Sequence, residues 1–248
     1  MPQTLLITGA SRGIGAATAI LAASQDWQVA VNYASNSLAA DGVVRQIRAA
    51  GGVAIAVQAD VSIEADVLRL FETVDAKLGR LDGLVNNAGV VDLAQRVDEM
   101  SVSRLSRMWA TNITSSFMCA AQAVRRMSTK YGGNGGAIVN VSSVASRLGS
   151  PAQYVDYAAS KAAIDTFTLG LAKEVASEGI RVNAVRPGII DTDIHASGGD
   201  PGRAARMAAQ LPLQRAGTAD EIAQAILWLL SDQASYTTGT LLDVAGGR

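Results

Sequence analysis

The sequence predicts one α/β domain, a doubly wound parallel sheet with helices on both faces. Three observations predict it. The chain opens on an apolar run, Leu5-Leu6-Ile7, that breaks into the glycine turn Thr8–Gly15 and then an alanine-rich helical segment. Strand-like and helix-like segments go on alternating up to Gly89, giving β-α-β-α-β-α-β, a pattern that makes a parallel sheet with right-handed crossovers. Polar turns also recur where strands end: the glycine turn, Asp60-Val61 and Asn86–Gly89. Ligands of such sheets bind beyond the carboxyl ends of the strands, so these signals fall on one edge.

The elements follow in order. Ala16–Gln25 reads as a helix and Trp27–Tyr33 as a buried strand. Leu38–Ala50 is helical, stopped by Gly51-Gly52, and Val53–Gln58 is a third strand. Ser62 is a plausible N-cap for a helix running to Leu78, where Gly79 ends it, and Leu81–Val85 is a fourth strand. Ser101–Met127 reads as one long helical segment containing Asn112. The glycines between Gly132 and Gly136 read as a connector, because no helix follows them to make an anion site. Ala137–Val141 is a fifth strand ending in Ser142-Ser143, and a loop reaches about Asp156. Tyr157–Ser177 is helical, Arg181–Val185 is a sixth strand ending in Pro187-Gly188, and Gly198–Gly202 breaks the chain. Thr218 caps a helix through Leu230, and Leu241–Val244 is the last strand. With no repeat, linker or low-complexity tract, residues 1–248 read as a single domain.

The glycine turn carries the first chemistry. A strand–turn–helix junction leaves unpaired N–H groups at a helix N-terminus, where the dipole adds partial positive charge. Gly9, Gly13 and Gly15, with Ser11, Arg12 and Ile14 between them, therefore read as a pyrophosphate cradle. No Gly-Lys-Ser/Thr follows, which argues against the P-loop hydrolases. In a dinucleotide fold the end of the second strand meets the adenosine ribose, and an acid there grips a free 2′-OH. Here that stretch is Asn32, Tyr33, Ala34 and Ser35, with no carboxylate, while Arg12 supplies a cation for a 2′-phosphate. NADP(H) is thus expected ahead of NAD(H).

Composition narrows the rest. Lys+Arg of 21 against Asp+Glu of 22 leaves a net charge of -1, without the basic footprint of a nucleic-acid or anionic-membrane binder. Cys119 is the single cysteine, so no internal disulfide and no cysteine metal cluster can form, and it reads as a buried thiol. His195, the only histidine, has no partner motif and reads as an idle loop residue. No metal is expected. Neither a leader nor an apolar membrane span is read, which makes the cytoplasm the expected location.

Tyr157-Ala-Ala-Ser-Lys161 places a phenol and an ammonium one helical turn apart. A phenol titrates near ~10, and a nearby ammonium favours phenolate and lowers that value. Such a tyrosine exchanges a proton with an alcohol or carbonyl, and Ser143 can donate to the developing oxyanion.

On Thr8–Gly15, Asp60-Val61, Asn86–Gly89, Asn112, Ser143, Tyr157-x-x-x-Lys161, and Pro187-Gly188 with Thr192, the whole chain resembles the short-chain dehydrogenase/reductases. The resemblance implies a Rossmann-type, seven-stranded parallel sheet in the order 3-2-1-4-5-6-7. It implies a general acid/base at Tyr157 and a Lys161 that lowers its pKa and holds the nicotinamide ribose. It also implies substrate orientation by Ser143 and a relay water at Asn112. Asp60 and Val61 would meet adenine, Asn87, Ala88 and Gly89 would line the cofactor, and Pro187, Gly188, Ile190 and Thr192 would lie at the nicotinamide end, with Ile190 and Thr192 holding the carboxamide. Many members assemble as homotetramers or homodimers. Much of the family sets the serine thirteen residues before the tyrosine, a position held here by Val144. Ser143 therefore implies one extra residue between Ser146 and Asp156, with Ser142 as the rival. The reaction implied is alcohol–ketone interconversion, as in 3-oxoacyl-carrier-protein reductases or sugar dehydrogenases such as glucose 1-dehydrogenase. The alternative classes are a non-catalytic dinucleotide sensor and a structural assembly partner.

Overall fold

The computed structural model describes residues 2–248, with the side chain of His195 outside the described residues. Seven strands form one sheet: β1 (Thr4–Ile7), β2 (Gln28–Tyr33), β3 (Val53–Gln58), β4 (Gly83–Asn86), β5 (Gly136–Val141), β6 (Ile180–Pro187) and β7 (Leu241–Val244). Their order is β3-β2-β1-β4-β5-β6-β7, and every pairing is parallel. Strand burial explains the apolar runs. All four residues of β1 and of β4 are buried, as both faces of a parallel sheet are covered.

The helices are α1 (Gly13–Ala23), α2 (Ser37–Ala49), α3 (Glu64–Leu78), α4 (Val102–Trp109), α5 (Ser115–Met127), α6 (Ala145–Leu148), α7 (Val155–Val175), α8 (Ile194–Ser197), α9 (Arg203–Ala208) and α10 (Ala219–Leu230). Two cores flank the sheet. On one face α1, α2 and α10 contribute Ala19, Ala22, Val43, Ile47, Ile222 and Ile226. On the other, α3, α5 and α7 contribute Leu70, Phe71, Cys119, Ala123, Ala172 and Val175. Full burial of a side chain as large as Phe71 stabilises by about 1.5–3 kcal/mol. Burial also pushes the Cys119 thiol up to about 12, so it stays protonated, as a buried thiol should.

Several local expectations hold. Thr218 caps α10, its hydroxyl accepting from the Glu221 N–H while Glu221 returns a bond to the Thr218 N–H. The break at Gly198–Gly202 falls between α8 and α9. Others are corrected. Ser62 does not cap α3: the cap position is Ile63, and the Ser62 hydroxyl donates to Asp60 Oδ1 at 2.7 Å. The segment Ser101–Met127 is not one continuous α-helix, because a π-turn at Ala110–Thr114 separates α4 from α5. The short helices α6, α8 and α9 have four to six residues each, too few to show a helical period in sequence. Among the described residues no helix is long and apolar enough to cross a membrane, and no group of metal-ligating side chains occurs.

Candidate active site

Two adjoining cavities lie at the carboxyl ends of the strands. The larger, about 420 Å³, runs along the β1–α1 turn and the ends of β2, β3 and β4. The smaller, about 160 Å³, lies over β5, β6 and the start of α7. Ile14, Asn87, Gly89 and Thr192 line both, so the two form one continuous site.

The glycine turn builds the larger cavity. Gly9 and Gly13 have φ of +61° and +55°, a region that side-chain-bearing residues adopt only with strain. A Cβ on Gly9 would come within 3.0 Å of Ala88 Cα. Gly15 plays a different part from the cradle: it lines neither cavity, and a Cβ there would meet Asn87 Nδ2 at 2.6 Å. It lets α1 pack against the β4 turn. Thr8 locks that turn. Its hydroxyl accepts from the N–H groups of Asn87 and Ala88, both at 3.0 Å. The Asn87 amide donates to the carbonyls of Thr8 and Gly9 at 2.9 and 3.0 Å.

Ser11, Arg12, Tyr33, Ala34, Ser35, Asp60 and Val61 line the same cavity. Arg12 is exposed, and no ion pair or hydrogen bond engages its guanidinium among the described residues. Asn32 departs from expectation. Its side chain is buried and turned into the fold, with Oδ1 accepting from the Gly9 N–H at 3.2 Å and Nδ2 donating to the carbonyls of Val57 and Ala59. Successive strand residues face opposite ways, so Tyr33, one residue on, lines the cavity instead.

The smaller cavity brings together Ser142, Ser143, Tyr157, Lys161, Pro187, Gly188 and Ile190. The two serines point to different partners. The Ser143 hydroxyl accepts from the Ala145 N–H at 3.1 Å, and Ser143 lies close enough to Tyr157 in the cavity wall to favour its phenolate. The Ser142 hydroxyl instead donates to the Lys161 carbonyl at 3.1 Å and holds β5 to α7. Pro187-Gly188 turns beside the chain end: a Cβ on Gly188 would lie 2.8 Å from Ala245 Cα.

The electrostatics differ from the sequence expectation. Burial raises the Tyr157 pKa, and the group that lowers it is Ser143, not Lys161. The Lys161 ammonium lies 5.7 Å from the Tyr157 ring centroid and donates to the Val141 carbonyl at 2.7 Å. Burial brings Lys161 itself down to about 8, against an opposing pull from Asp165.

Asn112 sits behind this cavity, in the π-turn. Its Oδ1 accepts from the Val90 N–H at 2.8 Å, and its Nδ2 donates to the Val90 carbonyl at 2.9 Å and to Ser160 Oγ at 3.1 Å. A Cβ on Gly89 would sit 3.4 Å from Lys161 Nζ and 3.5 Å from Asn112 Oδ1. Asn112 is thus close to the lysine, but its side-chain amide is committed to Val90 and Ser160.

The start of α7 is fixed by a buried ion pair. Arg104 Nε lies 2.7 Å from Asp156 Oδ2, and the same carboxylate accepts from the Tyr157 N–H at 2.9 Å. Neither Arg104 nor the lining residues Arg203 and Arg248 carries a sequence signal, since each is remote along the chain from Tyr157, whereas Tyr154 falls in the Ser146–Asp156 loop just before it.

Comparison with known proteins agrees with this geometry. The family model described as Enoyl-(Acyl carrier protein) reductase matches residues 9–248. The chain is 42% identical over 246 residues to a 3-oxoacyl-[acyl-carrier-protein] reductase of Synechocystis, covering 99% of this chain and 96% of the relative. This protein belongs to the short-chain dehydrogenases/reductases. The enzyme is also 56% identical over 243 residues to the uncharacterized oxidoreductase YgfF of Escherichia coli, covering 98% of each chain. A solved short-chain type dehydrogenase/reductase from Mycobacterium marinum superposes on it with a TM-score of 0.92 at 34% identity, over 99% of this chain and 94% of that one. This short-chain dehydrogenase/reductase is therefore an oxidoreductase of an NAD(P)-binding family that acts on CH–OH or carbonyl groups.

Proposed function

We propose that the enzyme is an NADP(H)-dependent carbonyl reductase that converts a ketone to a secondary alcohol. The observation that carries this reading is that Ser143, Tyr157 and Lys161 line one largely apolar cavity. Two hydroxyls side by side suit one substrate oxygen. Ser143 donates to it and Tyr157 delivers its proton as charge develops there. The raised pKa of Tyr157 keeps that proton in place at neutral pH, which suits the reductive direction. Bound NADPH supplies the hydride. Below about 8 Lys161 is largely protonated, and its ammonium would hold the nicotinamide ribose and restore charge balance at Tyr157. Asn112 braces Val90 and Ser160 around that lysine. Pro187, Gly188, Ile190 and Thr192 line this cavity and would hold the nicotinamide.

The residues fit the dinucleotide. The positive-φ glycines keep the cradle floor open to a pyrophosphate, and Asp60 and Val61, in the wall of the same cavity, would meet the adenine. Arg12 lines the cavity beside Tyr33, Ala34 and Ser35 with no carboxylate at the end of β2. A charge-assisted contact is worth about 1.5–3 kcal/mol, so Arg12 gives NADPH an advantage of roughly ten- to hundred-fold. NAD(H) is the weaker alternative. Exposed apolar side chains on α4, α5 and α7, among them Val102, Phe117 and Leu169, support a homotetramer or homodimer. Two measurements test the reading. NADPH oxidation should proceed with a panel of ketones, and no turnover of any ketone contradicts the reductase assignment. Titration of both cofactors into Arg12→Ala should show about ten-fold or greater loss for NADPH with little change for NADH. Equal losses would mean that Arg12 shapes the turn and does not hold a phosphate.

A further inference from the structure

The catalytic cavity carries more positive charge than its chemistry requires. Lys161, Arg203 and Arg248 line it, and no aspartate or glutamate side chain does. Lys161 is used beside Tyr157. Arg203, at the start of α9, donates to Gln153 Oε1 at 3.0 Å and stacks 5.4 Å from the centroid of the Tyr154 ring, itself part of the cavity wall. Arg248 is half-buried, and its main-chain oxygen accepts from Arg147 at 3.3 Å. Arg147 is matched by Asp243, and Arg186 by Asp165 and Asp243, so the charges behind Arg248 are balanced among themselves. No acidic side chain pairs with Arg203 or Arg248 among the described residues. The cost of this is visible at Arg248, whose charged form is disfavoured first by burial and then by Arg203. Two cations lining a partly dry wall with no acidic side chain paired to either make an anion site, because an added anion relieves both repulsion and desolvation.

We propose that Arg203 and Arg248 form an anion subsite of the catalytic cavity, so that the substrate is a small ketone carrying a carboxylate or phosphate. Its carbonyl lies at Ser143 and Tyr157 and its charge at the arginines. This rests on the ketone-reductase reading above and names the substrate class for it.

The test compares matched ketones with and without charge. The carboxylate arm is 4-oxopentanoate against its methyl ester, and the phosphate arm is dihydroxyacetone phosphate against dihydroxyacetone. In wild type, at least one anion should exceed its neutral partner in kcat/KM by about tenfold or more, mainly through KM. The arm that shows the preference identifies the anion. Arg203→Gln with Arg248→Gln should bring that ratio close to one, whereas Arg203→Lys with Arg248→Lys should keep part of it. The exposed Arg206→Gln should leave the ratio as in wild type. A wild type that favours the neutral partners in both arms, or a ratio that survives the double glutamine change, overturns the proposal. A melting curve and an NADPH titration check that the double variant folds. If no ketone is reduced, the reductase reading fails, and the subsite is judged by calorimetry with 4-oxopentanoate and inorganic phosphate in the presence of NADP. Wild type should then bind at least one anion about tenfold more tightly than the double variant. Equal affinity, or no binding to wild type, overturns it.

Discussion

Lys161 is a buried charge that destabilises the fold, at the position where the proposed function uses it. Its ammonium is buried, and its pKa falls from the ordinary 10.5 to about 8. Between those values the unfolded chain binds the proton and the native chain does not, so stability rises with pH through that window. Below about 8 both states are charged and the full destabilisation remains. Lys161→Met should therefore be more stable than wild type at pH 7 in urea unfolding, and the advantage should shrink as pH rises from about 8 toward 10.5. An advantage that grows over that range contradicts the account. Tyr157 and Lys161 were legible in the sequence because their spacing is local, and Ser143 because it ends a strand. The facing of Asn32 was not legible. A shift of one residue along a strand moves a side chain to the other face, and only the bonds to Gly9, Val57 and Ala59 show which way it lies. Sequence spacing likewise does not reveal that the Lys161 ammonium binds the Val141 carbonyl.

At the scale of elements, the position of Tyr157 depends on how α4 is tied to the start of α7. Arg104 and Asp156 are both buried, with side-chain exposures of 6% and 0%. Removing one partner of such a pair leaves an uncompensated charge and costs about 3–5 kcal/mol. Asp156→Ala should lower stability by about that amount in chemical unfolding, and it should also reduce kcat, because the same carboxylate anchors the Tyr157 N–H. A loss below about 1 kcal/mol would be that of a solvated pair and would contradict the assignment. The alternation of strands and helices was legible because burial imposes a period on each element. The π-turn at Ala110–Thr114 and the pair Arg104–Asp156 were not. One is a local slip in hydrogen bonding within an otherwise helical pattern, and the other joins residues 52 apart.

For the whole molecule, the sheet edge gathers the site and the outer helices carry its apolar surplus. Phe117 on α5 stacks on Phe167 of α7 with centroids 3.8 Å apart, yet Phe117 stays 47% exposed and Leu169 39%. We expect this face to be covered by another subunit. Light scattering at micromolar concentration should give a dimeric or tetrameric mass, and Phe117→Glu should shift it downward. A monomeric wild type would contradict the expectation.

The central claim is that Tyr157 delivers the proton to a ketone oxygen in a cavity built by β5 and α7. The most direct measurement is turnover of NADPH with a ketone by wild type and by Tyr157→Phe, together with NADPH affinity. The account predicts a loss in kcat of about 10²–10⁴-fold with cofactor binding retained; a variant that turns over near the wild-type rate contradicts it.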